Sequence, residues 1–341
     1  MPSDSTMIEY SESILDLIGN TPLVRIPSGV TGCRATVLAK LETANPAGSV
    51  KDRMAKYVIN AEERRGNIKR GDTIIDATSG NTGVAAAMVA AAKGYKAIFT
   101  VPTSTSDEKI NLIKSFGAKV IITPCEVASD DPRCHYAIAQ RLAKEHGYYW
   151  LNQFDNQLNP EAHYSSTGPE VWRQTAGRVT HLFAGVGTGG TISGTGRFLK
   201  EQNPAIKVYG IEPHGSMFKN IHENRPLQAA LAHKVEGIGT DRPVAAFHSK
   251  WIDQIIQIDD AVAFQATRLL SRALGLSVGG STGAIFAAIN QFSATLDKDD
   301  VVVFFVCDGG IRYMTKVFSD EWMKQNNFEV NEEPSLNAIL E

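Results

Sequence analysis

The sequence has few cysteines, no long apolar run and no excess of charge of one sign. Its four cysteines, at 33, 125, 134 and 307, form no C-x-x-C pair among 341 residues. That excludes a disulfide-stapled secreted scaffold and fits a reduced, cytoplasmic protein. The eight histidines include no H-x-x-x-H or H-E-x-x-H spacing, so no metal is expected. The apolar run at 84–92 stops at Lys93, far short of the roughly 20 residues that span a bilayer, so no membrane association is expected. The first residues, MPSDSTMIEYSESILD, are polar and acidic, unlike a signal or transit peptide. With 34 basic and 37 acidic residues the net charge is −3. That leaves no basic balance to attract nucleic acid.

What the sequence does have is alternation. Short apolar, β-branched runs lie at 73–78, 96–102, 119–124, 181–187, 207–213, 254–258 and 300–308. Amphipathic segments separate them at 50–65, 81–94, 107–117, 133–147, 191–203, 260–275 and 282–292. Near-continuous apolar strands between helices predict an α/β protein with mostly parallel sheets covered on both faces. Several of the helices end in Gly, a common C-cap. The Asn-, Pro- and Ser-rich stretch 151–170 breaks the alternation and is expected to be the crossing between two α/β units. Ligands of such sheets bind beyond the carboxyl ends of the strands.

Four loops carry the small polar residues that such sites use. GVGTGGT (185–191) follows a strand and opens a helix. Its backbone N–H groups can hold a phosphate, although a tight turn would also need the glycines. With Glu212 ending the next strand, it equally fits a dinucleotide fingerprint. ATSGNTG (77–83) can offer Thr78, Ser79, Asn81 and Thr82 to a carboxylate, or can simply cap a helix. In NPAGSVKDR (45–53), Lys51 lies in the first turn of a helix. The helix dipole disfavours an ammonium there, and a lysine of lowered pKa forms Schiff bases; a solvated surface lysine is the plainer alternative. In VGGSTGA (278–284), Ser281 is expected to be a helix N-cap.

Together, and in this order, these loops resemble the fold-type II pyridoxal-phosphate (PLP) enzymes. The resemblance runs from IGNTPLVRI (18–26) to YMTKVFSDEWM (313–323). It is greatest to the β-replacement branch that holds cystathionine β-synthase and cysteine synthase. It implies two three-layer α/β domains of the tryptophan synthase β type. The smaller would comprise 1–22 and 45–155 and the larger 23–44 and 156–330, with a tail at 331–341. It implies that Lys51 holds PLP covalently and acts as the base at the substrate α-carbon. Gly187, Thr188, Gly189, Gly190 and Thr191 would cradle the phosphate, Asn81 would bond the 3′ oxygen and Ser281 the pyridine nitrogen. Thr78, Ser79, Thr82 and Gln153 would clamp the substrate carboxylate, with Gly237 facing its amino group.

The resemblance implies β-replacement on serine, or an activated serine, through an aminoacrylate. Glu108-Lys109, VEGIG (235–239) and YMTKVFSDEWM lean toward homocysteine as nucleophile, giving cystathionine. Glu236, Glu108 and Lys109 would then move protons for a poor leaving group or hold the second substrate. Glu108 and Lys109 read equally well as a solvated helix start. Phe154, Thr240 and CDGGIR (307–312) depart from that pattern and keep open cysteine synthase, using O-acetylserine and sulfide, or a related β-replacement with another nucleophile such as an amine. A homodimer is expected from the family. With no long extension at either end, neither haem nor adenosylmethionine control is expected.

Overall fold

The computed structural model describes residues 10–124, 127, 131–227 and 230–330. Cys125 and the expected tail at 331–341 lie outside them. Among the described residues there are ten strands: β1 (Leu23–Ile26), β2 (Thr36–Leu41), β3 (Thr73–Ala77), β4 (Lys96–Pro102), β5 (Lys119–Thr123), β6 (Tyr149–Trp150), β7 (His181–Gly185), β8 (Lys207–Pro213), β9 (Gln254–Ile258) and β10 (Val301–Val306). They form two sheets, ordered β1-β2-β10-β7-β8-β9 and β5-β4-β3-β6. Every pairing is parallel except β1 with β2.

The apolar runs form strands because both faces are covered. In β10, Val302 to Val306 are all buried, as are Ile74 to Ala77 in β3. Two helices of small residues are buried on almost every side. Helix Asn81–Lys93 is buried from Thr82 to Ala90, and helix Gly280–Phe292 from Gly280 to Asn290. Gly94, Gly147 and Gly275 end their helices in the left-handed conformation, which glycine adopts without Cβ strain. Among the described residues no helix is long and apolar enough to cross a membrane.

The stretch 151–170 does lie between β6 of the four-stranded sheet and β7 of the six-stranded one, and it is helical: it holds helix Leu158–Ser165 and the start of helix Thr167–Gln174. Pro160 sits in the first helical turn, where its missing N–H costs no bond. Asn159, His163 and Glu170 are buried with hydrogen-bond partners, so apolar periodicity does not reveal the helices. Ser281 is not an N-cap: Gly279 holds that position, and Ser281 lies inside the first turn. A Cβ on Gly279 would sit 2.2 Å from Asp308 Oδ1, so only glycine lets the two segments approach.

Candidate active site

The loops after β3, β7 and β10 meet over one cavity, with the starts of helices Lys51–Arg64 and Gly280–Phe292 completing it. Lys51 heads its helix, and its N–H donates to Ser49 Oγ at 3.3 Å. Burial pushes the Lys51 ammonium below its ordinary pKa and nearby Lys109 adds to this, while Cys307 and Asp308 oppose. The helix dipole acts in the same direction as burial. The amine is therefore poised toward its neutral, nucleophilic form.

Opposite Lys51 lies the glycine loop. Gly187, Thr188, Gly189 and Thr191 line the cavity, and Gly190 starts helix Gly190–Gln202. The loop approaches its surroundings as bare backbone. A Cβ on Gly187 would meet the Gly237 carbonyl oxygen at 2.4 Å, and one on Gly190 would meet Asn159 Oδ1 at 2.1 Å. Gly189 has φ 84°. Asn159 Nδ2 donates to Thr188 Oγ1 at 2.9 Å and to the Gln153 carbonyl at 2.7 Å. Thr191 Oγ1 lies 3.2 Å from His163 Nε2. The dinucleotide alternative fails on Glu212. Its carboxylate is fully buried and accepts from the N–H groups of Phe218 and Lys219 at 2.8 and 3.0 Å, leaving it no path to a ribose.

Asn81, Gly237 and the buried Ser281 line the same cavity. Cys307 joins them, its thiol pushed up to about 12 by burial and by Asp308, against the charge of Lys51 and a hydrogen bond with Ser281. Thr78 Oγ1 accepts from the N–H groups of Gly80 and Gly83 at 3.0 and 3.2 Å, and Ser79 is exposed beside it. The Thr82 hydroxyl donates to Gln153 Oε1, whose amide nitrogen donates to the Ala77 carbonyl at 2.8 Å. Thr82 and Gln153 are thus joined, although neither lines the cavity.

The remaining candidates gather in a separate cluster of charges. Lys109 donates to Glu236 at 2.7 Å and lies 4.3 Å from the centre of the Tyr313 ring. Lys316 donates to the other Glu236 oxygen and to the Ser104 carbonyl. Glu108 accepts from the Thr315 hydroxyl at 2.9 Å. Lys109 is only 1% exposed, so it is not a solvated helix start.

Sequence reasoning missed Asn159 and His163 because their stretch reads as a linker. It missed Asp308 and Arg312, although the departure of CDGGIR from the family pattern marked their segment. Lys316 and Tyr313 lay inside a quoted motif without a role.

These residues fit a phosphorylated aldehyde cofactor. A glycine loop at a helix start suits the phosphate, a neutral lysine suits the aldehyde and a buried hydroxyl suits a ring nitrogen.

Comparison with known proteins agrees. The pyridoxal-phosphate dependent enzyme family model matches residues 14–308. Cystathionine β-synthase of Saccharomyces cerevisiae is 39% identical over 340 residues, covering 96% of this chain and 67% of the yeast protein. The chain spans about two thirds of the length of the cystathionine β-synthases it matches, 63% in the Apis mellifera protein. Cysteine synthase of Staphylococcus aureus is 40% identical over 305 residues, covering 89% of this chain and 96% of that protein. A crystal structure of O-ureido-L-serine synthase has a TM-score of 0.84 at 32% identity, covering 93% of this chain and all of that one. The chain belongs to the pyridoxal-phosphate dependent enzymes of fold type II, in the class of its cystathionine β-synthase and cysteine synthase relatives, and its cofactor is PLP.

Proposed function

We propose that the protein replaces the β-substituent of serine, or of an activated serine, with homocysteine to give cystathionine. The observation that carries this reading is the Lys109–Glu236–Lys316 cluster, adjoining Gly237 at the cavity. Alternating cation, anion and cation suit a second amino acid, whose own ammonium and carboxylate need partners. Sulfide has neither group and needs no such cluster.

PLP, when bound, supplies the electron sink for the substrate α-carbon. Lys51 Nζ would hold the cofactor and would serve as the base at the substrate α-carbon. The Asn81 amide would bond the cofactor's 3′ oxygen and the Ser281 hydroxyl its ring nitrogen. Residues 187–191 bind its phosphate. Thr78, Ser79, Thr82 and Gln153 orient the substrate carboxylate. Hydroxide is a poor leaving group, so serine requires a proton at its β-oxygen. Lys51 Nζ would carry one after taking the α-proton, and nearby Lys109 disfavours its keeping that charge.

Cysteine synthesis from O-acetylserine and sulfide is the second reading. It is favoured by Phe154, whose ring packs 6.2 Å from that of Tyr136 and 5.4 Å from the Arg242 guanidinium. The test offers serine or O-acetylserine, each with homocysteine or sulfide, and identifies products by mass spectrometry. Cystathionine from serine is the expected result. Cysteine formed only from O-acetylserine and sulfide overturns it in favour of the second reading.

A further inference from the structure

The segment Cys307–Arg312 touches three of the loops that form the cavity. The Cys307 carbonyl accepts from the Val50 N–H at 2.9 Å, in the loop that ends in Lys51. The Asp308 carbonyl accepts from the Gly279 N–H at 3.2 Å, and the Gly310 N–H donates to the Ser277 carbonyl at 3.2 Å, both in the loop before Ser281. The third contact is made by side chains. Asn81 Nδ2 donates to Asp308 Oδ2 at 2.6 Å, and Arg312 donates to Asn81 Oδ1 at 2.7 Å.

These two bonds decide which way the Asn81 amide faces. A guanidinium has donors only, so the amide oxygen must face Arg312. The carboxylate oxygen then receives one N–H of the amide nitrogen. The other N–H of that nitrogen has no recorded partner among the described residues, and Asn81 lines the cavity.

The clamp is itself anchored. Asp308 is 1% exposed and accepts from the Tyr313 hydroxyl at 2.6 Å; Arg312 is 4% exposed. A second nitrogen of Arg312 donates to the Ala47 carbonyl, four residues before Lys51. That loop is held in turn by the Ala47 N–H, which donates to Asp52 at 2.6 Å. One planar guanidinium therefore spans the Lys51 loop and the Asn81 amide. An arginine fork is stiff enough to fix the distance between them, whereas a lysine ammonium supplies a donor with less directional control.

We propose that Asp308 and Arg312 are positioning residues for the cofactor: they lock the Asn81 amide with its nitrogen toward the PLP ring and tie it to the Lys51 loop. This rests on the role given to Asn81 above.

The test is a double-mutant cycle on the holoenzyme. Arg312→Met, Arg312→Lys and Asp308→Ala are each made alone and together with Asn81→Ala. Two quantities are read: the visible absorption maximum of the bound cofactor, and its dissociation constant from reconstitution of the apoenzyme. Arg312→Met and Asp308→Ala are expected to shift the maximum and to weaken cofactor binding about tenfold or more. Arg312→Lys is expected to recover part of both. In the Asn81→Ala background neither change should add a further shift or loss. If Arg312→Met fails to fold, Asp308→Ala completes the same cycle. Equal losses with and without Asn81 overturn the clamp alone, because they mean that the two residues act by general support. An Asn81→Ala protein with unchanged maximum and affinity overturns the role of Asn81, and the clamp with it.

Discussion

Two clusters of charge lie near Lys51, one behind it and one beyond the cavity, and they are built to opposite specifications. Behind it, Arg53 reaches Glu42 at 2.7 and 2.8 Å and Glu170 at 2.7 and 2.8 Å, and Lys40 reaches Glu170 at 2.8 Å. The Thr21 hydroxyl donates to Glu42 at 2.8 Å. Two cations meet two anions, and all four side chains are buried. Burial alone would raise the Glu170 carboxyl, but the Arg53 and Lys40 bonds and charges outweigh it and hold it at about 2. In the cluster at the cleft, Lys109 and Lys316 share one carboxylate, Glu236. Glu108 Oε2 is buried without a partner among the described residues. The rear cluster joins β2, helix Lys51–Arg64 and helix Thr167–Gln174 and has no open valence; the cleft cluster also sets two cations against two carboxylates but leaves Glu108 Oε2 unfilled. On the function proposed above, the difference separates charge that holds the fold from charge available to a substrate.

Breaking the rear cluster has the largest expected effect. Arg53→Met leaves Glu42 unpaired and strips Glu170 of two of its three charged bonds in a buried setting. Removing one partner of such a group costs about 3–5 kcal/mol. Denaturant unfolding should show that loss as a lower midpoint with an unchanged slope. A loss below about 1 kcal/mol would mean that the rear cluster is no more structural than a surface pair.

Glu236→Gln is the reciprocal experiment. Glu236 is partly exposed, and an amide of the same shape can still accept from one lysine. Stability should fall by less than in Arg53→Met, because the amide can still accept from buried Lys109. The kcat/KM for the second substrate should fall about 10- to 100-fold, as expected on losing a charge-assisted contact, with the signature of bound PLP retained. Equal losses with homocysteine and with sulfide would remove the argument for a second amino acid.

The same contrast explains what could be read from the sequence. β3, β4, β7, β8, β9 and β10 were legible because most of their apolar side chains are buried, and the edge strand β5 from its β-branched run, although Ile122 is exposed. β1 and β2 were not. Their segment carries Lys40, which reads as solvent-facing yet is fully buried against Glu170. Helices Leu158–Ser165 and Thr167–Gln174 were hidden for the same reason, since Asn159, His163 and Glu170 point inward at polar partners. Wherever hydrogen bonds replace apolar contact, periodicity carries no signal. The loops around the cavity were legible for another reason. Each alone reads as a turn, a cap or a surface lysine; their order and spacing along the chain carry the resemblance. Asp308, Arg312 and Lys316 reach the site from more than 200 residues beyond Asn81, Ser104 or Lys51, and no local pattern announces such contacts.

The smallest expected effect is in the pH dependence of stability, where the rear cluster has a sign of its own. Glu170 has a folded-state pKa of about 2, below the usual carboxylate range. Its contribution is fully present above the unfolded value near ~4.5 and is lost as pH falls toward 2. Asp52, next to Lys51, behaves oppositely. Burial raises it to about 7, against the Ala47 N–H and the charge of Arg312. Its folded form keeps a proton that the unfolded chain has released, so its contribution declines as pH rises from ~4 through about 7. Asp76, raised to about 8 chiefly by burial, does the same. The melting temperature should therefore drop on the acid side between about pH 4.5 and 3, by a few degrees for a chain of this size. In Arg53→Met that acid slope should start at the same pH but end at higher pH and remove less stability, because Glu170 keeps only Lys40. Glu236→Gln should leave it in place. An acid slope that follows Glu236 and ignores Arg53 would reverse the assignment of the two clusters, making the cleft the structural one.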